Sequence, residues 1–145
     1  MKVLFDTSVL VPAIVHSHEN HEICWSWVER ARSGQVQGLM AVRTLAESYA
    51  VLTRLPLRPR IQPLLAKRLI LEVSEYVTTV PLTAGDYRSV VALMAELGLP
   101  GGGIYDALIA QTALQSQSDV LLTLNPNDFT RLGEPIASLV QVPRL

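Results

Sequence analysis

The sequence predicts an α/β fold in which a parallel sheet of about five strands is covered by helices on both faces. Short apolar runs bounded by turn residues recur along the whole chain, as expected for strands buried on two sides. Between successive runs lie one or two stretches of helical periodicity, the alternation that builds a parallel sheet through crossovers. The chain has 145 residues, 49% of them hydrophobic and 17% charged, against a charged share of about 25% in an average soluble protein. That composition excludes disorder, and the length fits one domain over residues 1–145 with a sizeable core.

The first strand is Val3 to Phe5, which stops at the polar Asp6-Thr7-Ser8. Thr7 or Ser8 is placed to cap a helix through Val9, Leu10 and Ala13, and a second helix carries Ile23, Trp27 and Ala31 on one face and ends near Gly34. Val36 to Val42 is a second strand, weakened by Gly38. Leu45, Ser48, Tyr49 and Leu52 fall at helical spacing until Leu55-Pro56-Leu57-Arg58-Pro59 makes continuation costly. Pro63 opens the next helix, with Leu64, Leu65, Leu69 and Val73, and Val77 to Leu82 is a third strand. Thr83 to Leu97 is helical, with Gly98 where a left-handed cap belongs. After the loop Leu99-Pro100-Gly101-Gly102-Gly103 come an apolar helix from Ile104 to Gln117, a fourth strand from Asp119 to Thr123, and a short fifth from Ser138 to Val142.

A formal net charge of −1 provides no global field for a polyanion, so any nucleic-acid contact must rest on a local patch. A single cysteine, Cys24, rules out an intramolecular disulfide and cysteine-based zinc clusters and fits the reducing cytoplasm. The start, Met1 to Phe5, is interrupted by Asp6 too early for a signal peptide, and no run of about 18 apolar residues forms a membrane span. A cytoplasmic protein without membrane attachment is expected.

Isolated acids are the most informative feature. Asp6 is the only charged residue from Val3 to Val15, Asp106 the only one from Leu97 to Ser118, and Glu47 the only acid between Glu29 and Glu72. All lie in apolar, core-forming segments, where an unpartnered carboxylate costs several kcal/mol or stays protonated. Taken singly, each is equally well a helix cap or a solvated edge residue. Together they are most economically explained by convergence on a divalent ion, and oxygen ligands without histidine or cysteine point to Mg²⁺ or Mn²⁺. Asp6 at a strand end and Asp106 at the start of a helix suit the crevice beyond the carboxyl ends of a parallel sheet.

The stretches around these acids, Lys2-Val3-Leu4-Phe5-Asp6-Thr7-Ser8-Val9-Leu10, Thr44-Leu45-Ala46-Glu47 and Ile104-Tyr105-Asp106-Ala107-Leu108-Ile109-Ala110, occur in order with Leu121-Leu122-Thr123-Leu124-Asn125-Pro126-Asn127-Asp128-Phe129. In that order and spacing the chain resembles the PIN-domain ribonucleases, and within them the VapC toxins of bacterial toxin–antitoxin pairs. The resemblance covers nearly the whole chain and implies a three-layer α/β/α sandwich and Mg²⁺-dependent endonucleolytic cleavage of RNA. It implies Asp6 and Asp106 as principal metal ligands, with Glu47 a ligand through water or a base. Many members carry an acid near Asn125; here Asn125, the aligned residue, or Asp128 completes the site, directly or through water, or Asp128 simply caps the next turn. Thr7, Ser8 and Thr123 are candidates for holding ligands or waters in place. The implied partners are an RNA substrate, a small VapB-like antitoxin that covers the site, and a second copy of the chain in a homodimer.

From Ser48 to Leu71 stand Arg54, Arg58, Arg60, Lys67 and Arg68 with no acid, preceded by Arg43. These residues either track RNA phosphates, with salt-sensitive binding, or form a solvated face or a surface for an acidic partner. The run His16, His18, His21 has no fourth ligand and reads as surface rather than zinc. Gly101 to Gly103 lacks the lysine and hydroxyl of a phosphate-binding loop, and Trp25, Trp27 and Tyr49 read as core or interface. A haloacid-dehalogenase-type phosphotransferase would need a second Asp at position 8, which is Ser, and a receiver domain a lysine later than Lys67. The other alternative is a non-catalytic PIN-like module that binds RNA or protein.

Overall fold

The computed structural model describes residues 1–144; Leu145, the last residue of the expected domain, lies outside the described residues. The elements are β1 (Lys2–Phe5), α1 (Thr7–Ile14), α2 (His21–Arg32), β2 (Gln37–Ala41), α3 (Val42–Arg54), α4 (Pro63–Val73), β3 (Val77–Val80), α5 (Ala84–Leu97), α6 (Gly103–Gln115), β4 (Val120–Leu122), α7 (Asn127–Thr130) and β5 (Val140–Gln141), with a 3-10 turn at Ala137–Leu139. All strand pairs are parallel and the order is β3-β2-β1-β4-β5. The chain adds β2 and β3 on one side of β1, then crosses to add β4 and β5 on the other. The loops leaving β1 and β4 therefore diverge, which opens a crevice at their carboxyl ends.

Alternation along the strands sets the layers. Val3 and Phe5 of β1 face one way, into a core with Leu10 of α1 and Cys24 and Val28 of α2. Leu4 faces the other way, into a core with Val90 and Met94 of α5, Ile109 of α6 and Phe129 of α7. A third cluster, Val11, Val15, Leu52, Ala66 and Ile70, ties α1 to α3 and α4 beyond the sheet. Among the described residues no helix is long and apolar enough to cross a membrane.

Gly38, expected to weaken β2, has a packing reason. A β-carbon there would stand 2.8 Å from Ala31 Cβ and 3.0 Å from a Phe5 ring carbon, so its absence lets α2 lie close against the sheet. Gly98 takes φ 66° and ends α5 as expected, with its N–H and that of Leu99 bonded back to Ala95 and Met94.

Some boundaries differ from the sequence expectation. Neither Thr7 nor Ser8 caps α1: Asp6 is the N-cap residue, and no side chain caps the helix. Strand β2 ends at Ala41 because Val42 already begins α3. In α4 the buried residues are Ala66, Ile70 and Val73, while Leu64 and Leu65 are exposed. Trp27 is buried and Trp25 half-buried, as expected of core or interface residues, whereas Tyr49 is exposed. The α7 turn and the 3-10 turn were not anticipated, being too short to show periodicity.

Candidate active site

Asp6 continues the β1 ladder by one residue, its N–H donating to Leu122 O at 2.9 Å, and so stands at the mouth of the crevice between β1 and β4. Its carboxylate is buried, 6% of the residue remaining exposed. The hydroxyls of Ser8 and Thr123 donate to Oδ2 at 2.7 and 2.9 Å. The same hydroxyls accept from the next loop: Leu124 N–H donates to Ser8 Oγ and Asn125 N–H to Thr123 Oγ1, both at 3.0 Å. One carboxylate thus fixes the two loops that diverge at the switch point. Burial nonetheless pushes its pKa above the ordinary value, with Glu47 adding to the rise and the hydroxyls opposing it.

Glu47 comes from the middle of α3 and Asp106 from the first turn of α6. Both line, with Asp6 and Asn125, a cleft of about 830 Å³ whose wall also carries Arg43 and Arg54. Each of these two acids has a loose arginine partner: Arg43 Nη2 stands 3.7 Å from Glu47 and Arg131 Nη2 3.9 Å from Asp106, both beyond hydrogen-bond reach. The Asp106 carboxyl is pushed up to about 6, first by burial, then by the charges of Asp128, Asp6 and Glu47, with Arg131 pulling it down. Asp128 lies in the first turn of α7 and does not line the cleft, yet it is the charge Asp106 feels most strongly.

The site therefore concentrates negative charge that its arginines do not neutralise. The donors around the acids are carboxylates, hydroxyls and an amide, while His18, which also lines the cleft, has its Nδ1 taken by the Asn20 N–H, and this oxygen-rich chemistry fits a hard divalent cation. Among the described residues no three acidic, histidine or cysteine side chains already stand close enough to share an ion. Glu47 and Asp106 would have to leave Arg43 and Arg131 to do so.

The other expected residues are distributed as follows. Thr7 turns its hydroxyl to Thr44 at 3.2 Å, a buried bond joining α1 to α3. Of the basic series, Arg43 and Arg54 line the cleft. Arg58 and Arg60 are exposed in the loop before α4. Lys67 and Arg68 lie on the outer side of α4, Lys67 beside an apolar groove with Tyr49, Leu64 and Leu71. In the histidine run, His21 Nδ1 pairs with Pro12 O at 2.9 Å, His18 Nδ1 accepts from Asn20 N, and His16 stacks on His21. The sequence did not single out Arg131 or Tyr105; the latter adjoins Asp106, while nothing in the pattern links Arg131 to an acid 25 residues earlier.

The family model described as PIN domain matches residues 3–135. Ribonuclease VapC27 of Mycobacterium tuberculosis is 32% identical over 117 residues, 79% of each chain. Ribonuclease VapC40 of the same species is 35% identical over 118 residues, 80% of this chain and 81% of the relative. The chain belongs to the VapC ribonucleases of the PIN-domain family. The VapC fold is matched in VapBC2 from Rickettsia felis, solved with a fragment of promoter DNA, at a TM-score of 0.69 and 17% identity over 99% of this chain and 100% of that one. VapBC-1 from nontypeable Haemophilus influenzae gives a TM-score of 0.65 and 20% identity, covering 98% of this chain and 96% of that one.

Proposed function

We propose that this VapC-family chain is a metal-dependent endoribonuclease that hydrolyses RNA phosphodiester bonds and acts in the cytoplasm as the toxin of a toxin–antitoxin pair. The carrying observation is the buried Asp6 at the switch point of the sheet, facing Glu47 and Asp106 across one cleft. Asp6 and Asp106 hold Mg²⁺ or Mn²⁺, Glu47 holds it through water or serves as a base, and Asn125 offers a neutral oxygen in the same cleft. Asp128 adds to the negative charge that Asp106 feels, which supports a place for it beside Asn125 in completing the site. The bound ion supplies an activated water and charge stabilisation at the scissile phosphate.

The chain's own residues do the rest. Ser8 and Thr123 hold the Asp6 carboxylate in place, so the rearrangement on loading the site falls on Glu47 and Asp106. The Thr7–Thr44 bond holds α3, and with it Glu47, against α1. Arg43 and Arg54 on the cleft wall meet the phosphates of the substrate. Because β1 and the late strands β4 and β5 share one sheet, residues 1–145 act as one PIN domain. A VapB-like antitoxin and a second copy of the chain are the proposed protein partners, supported by the VapBC assemblies it resembles and by exposed apolar side chains such as Leu64, Leu71 and Val91.

The test is cleavage of a total tRNA and rRNA pool by purified protein in Mg²⁺, Mn²⁺ or EDTA, beside Asp6→Asn and Asp106→Asn. Metal-dependent cutting that falls about 100-fold or more in both variants is expected, from the several kcal/mol a metal ion contributes to such a transition state. Absence of cutting by folded, antitoxin-free protein would instead support the non-catalytic binding module.

A further inference from the structure

Resting on the ribonuclease reading, we infer that Arg43 and Tyr105 form a single substrate-positioning contact at the rim of the cleft, Arg43 binding a phosphate and Tyr105 stacking an unpaired base of single-stranded RNA. The Arg43 guanidinium carbon lies 3.8 Å from the centre of the Tyr105 ring. The two residues come from α3 and from the first turn of α6, so the pair bridges the two helices that supply Glu47 and Asp106.

Arg43 is not consumed by its neighbours. Its contact with Glu47 is 3.7 Å, too long for a hydrogen bond, and its Nε is buried with no acceptor. Nε is shielded from a ligand, so it is the terminal nitrogens of this side chain, 31% exposed, that are open to oxygen acceptors of the substrate. The arginine fork matches phosphate geometry, and with its planar face against the Tyr105 ring its edge remains to bind. Tyr105 is 48% exposed although it belongs to a helix whose following residues, Ala107 to Ala110, are all buried. Tyr105 does not itself line the cleft, but its ring is packed against Arg43, which does, and neighbours Asp106, which also does; an exposed aromatic ring so held is a platform on which a base stacks. Bases in a duplex are already stacked on each other, so this contact favours single strands.

Arg54 is the internal comparison. It lines the same wall, 11 residues further along α3, or about 16 Å along the axis, and among the described residues no aromatic ring packs against its guanidinium. It contributes charge without stacking.

The experiment measures binding of a short fluorescein-labelled oligouridine RNA by anisotropy in EDTA, where no metal-dependent cleavage intrudes, at salt between about 50 and 200 mM. Arg43→Gln is expected to weaken binding about tenfold and to reduce the slope of log K against log salt by about 0.7, the single-strand value for one phosphate. Arg43→Lys restores that slope. Tyr105→Leu weakens oligouridine binding about 5- to 100-fold with the slope unchanged, and leaves binding of a duplex of equal length unaltered. Arg54→Gln reduces the slope by the same increment and weakens binding of the single strand and of the duplex alike, since it removes charge without a stacking contact. In Mg²⁺ the Arg43 and Tyr105 variants raise KM more than they lower kcat. Wild-type affinity, slope and KM in folded Arg43→Gln and Tyr105→Leu overturn the inference, as does failure of the wild type to bind the oligonucleotide. Failure of the wild type to cleave any RNA strikes the ribonuclease reading instead, since the binding arm runs without catalysis.

Discussion

At Asp106, burial and the charges of Asp128, Asp6 and Glu47 act in one direction, and Arg131 at 3.9 Å offsets only part of it. The carboxyl titrates near 6 in the metal-free fold against 3.8 in an unperturbed chain. Between those values the folded state binds more protons than the unfolded one, so stability rises as pH falls through this window. The gain is complete below about pH 4 and is lost as pH rises through about 6. Asp106→Asn removes the penalty permanently. Urea unfolding of metal-free protein is expected to show the variant about 1–2 kcal/mol more stable than the wild type at pH 8, a figure reduced from the full shift for the carboxyl's partial exposure. The difference shrinks by pH 4.5. A variant less stable than wild type at pH 8 would mean that the Arg131 contact outweighs desolvation. Asp6 shifts in the same direction for the same leading cause.

Among the elements, β2 and α2 show how a residue that looks like a defect in the sequence acts in the packed structure. Gly38 pairs with Val3 of the central strand, and the Cβ of Ala31 in α2 lies 2.8 Å from where its own β-carbon would be. Gly38→Ala therefore overpacks the contact between helix and sheet, and the atoms it meets include a helical Cβ that cannot swing away. A loss of about 1–3 kcal/mol is expected, read as a Tm lowered by several degrees. An unchanged Tm would show that α2 moves off the sheet at no cost. Gly103, by contrast, faces the flexible end of Arg131, with Nη2 at 2.6 Å from a built β-carbon, so alanine there displaces a side chain rather than a helix.

For the whole molecule, the cleft sets function against stability. The fold gathers acids from α3, α6 and the end of β1 with only loosely placed arginines to balance them. A cation that binds only the folded state stabilises it by about 2.7 kcal/mol at one hundred times its dissociation constant. Saturating Mg²⁺ is thus expected to raise the Tm of the wild type by about 5–10 °C, with the rise abolished in Asp6→Asn. Equal rises in both proteins would place the stabilising ion elsewhere.

The strand and helix order, the parallel sheet and the three lone acids were legible because buried apolar segments tolerate so few charges that each exception is conspicuous. Asp6, Glu47 and Asp106 needed only their apolar surroundings, and the order of the segments around them carried the family resemblance. Hydroxyl partners were legible only as candidates: Ser8 and Thr123 meet on Asp6 Oδ2, whereas Thr7 turns to Thr44. The basic series reads as one patch along the chain, but helix direction and the loop before α4 bring only Arg43 and Arg54 to the cleft. Arg131 against Asp106 and Arg43 against Tyr105 join segments with no shared periodicity. Local pattern records what a segment must bury, so the sequence by itself determined the elements and the acids that demand compensation. Which cation, hydroxyl or ring stands beside each acid depends on how the helices pack over the sheet, and only the tertiary structure decided that.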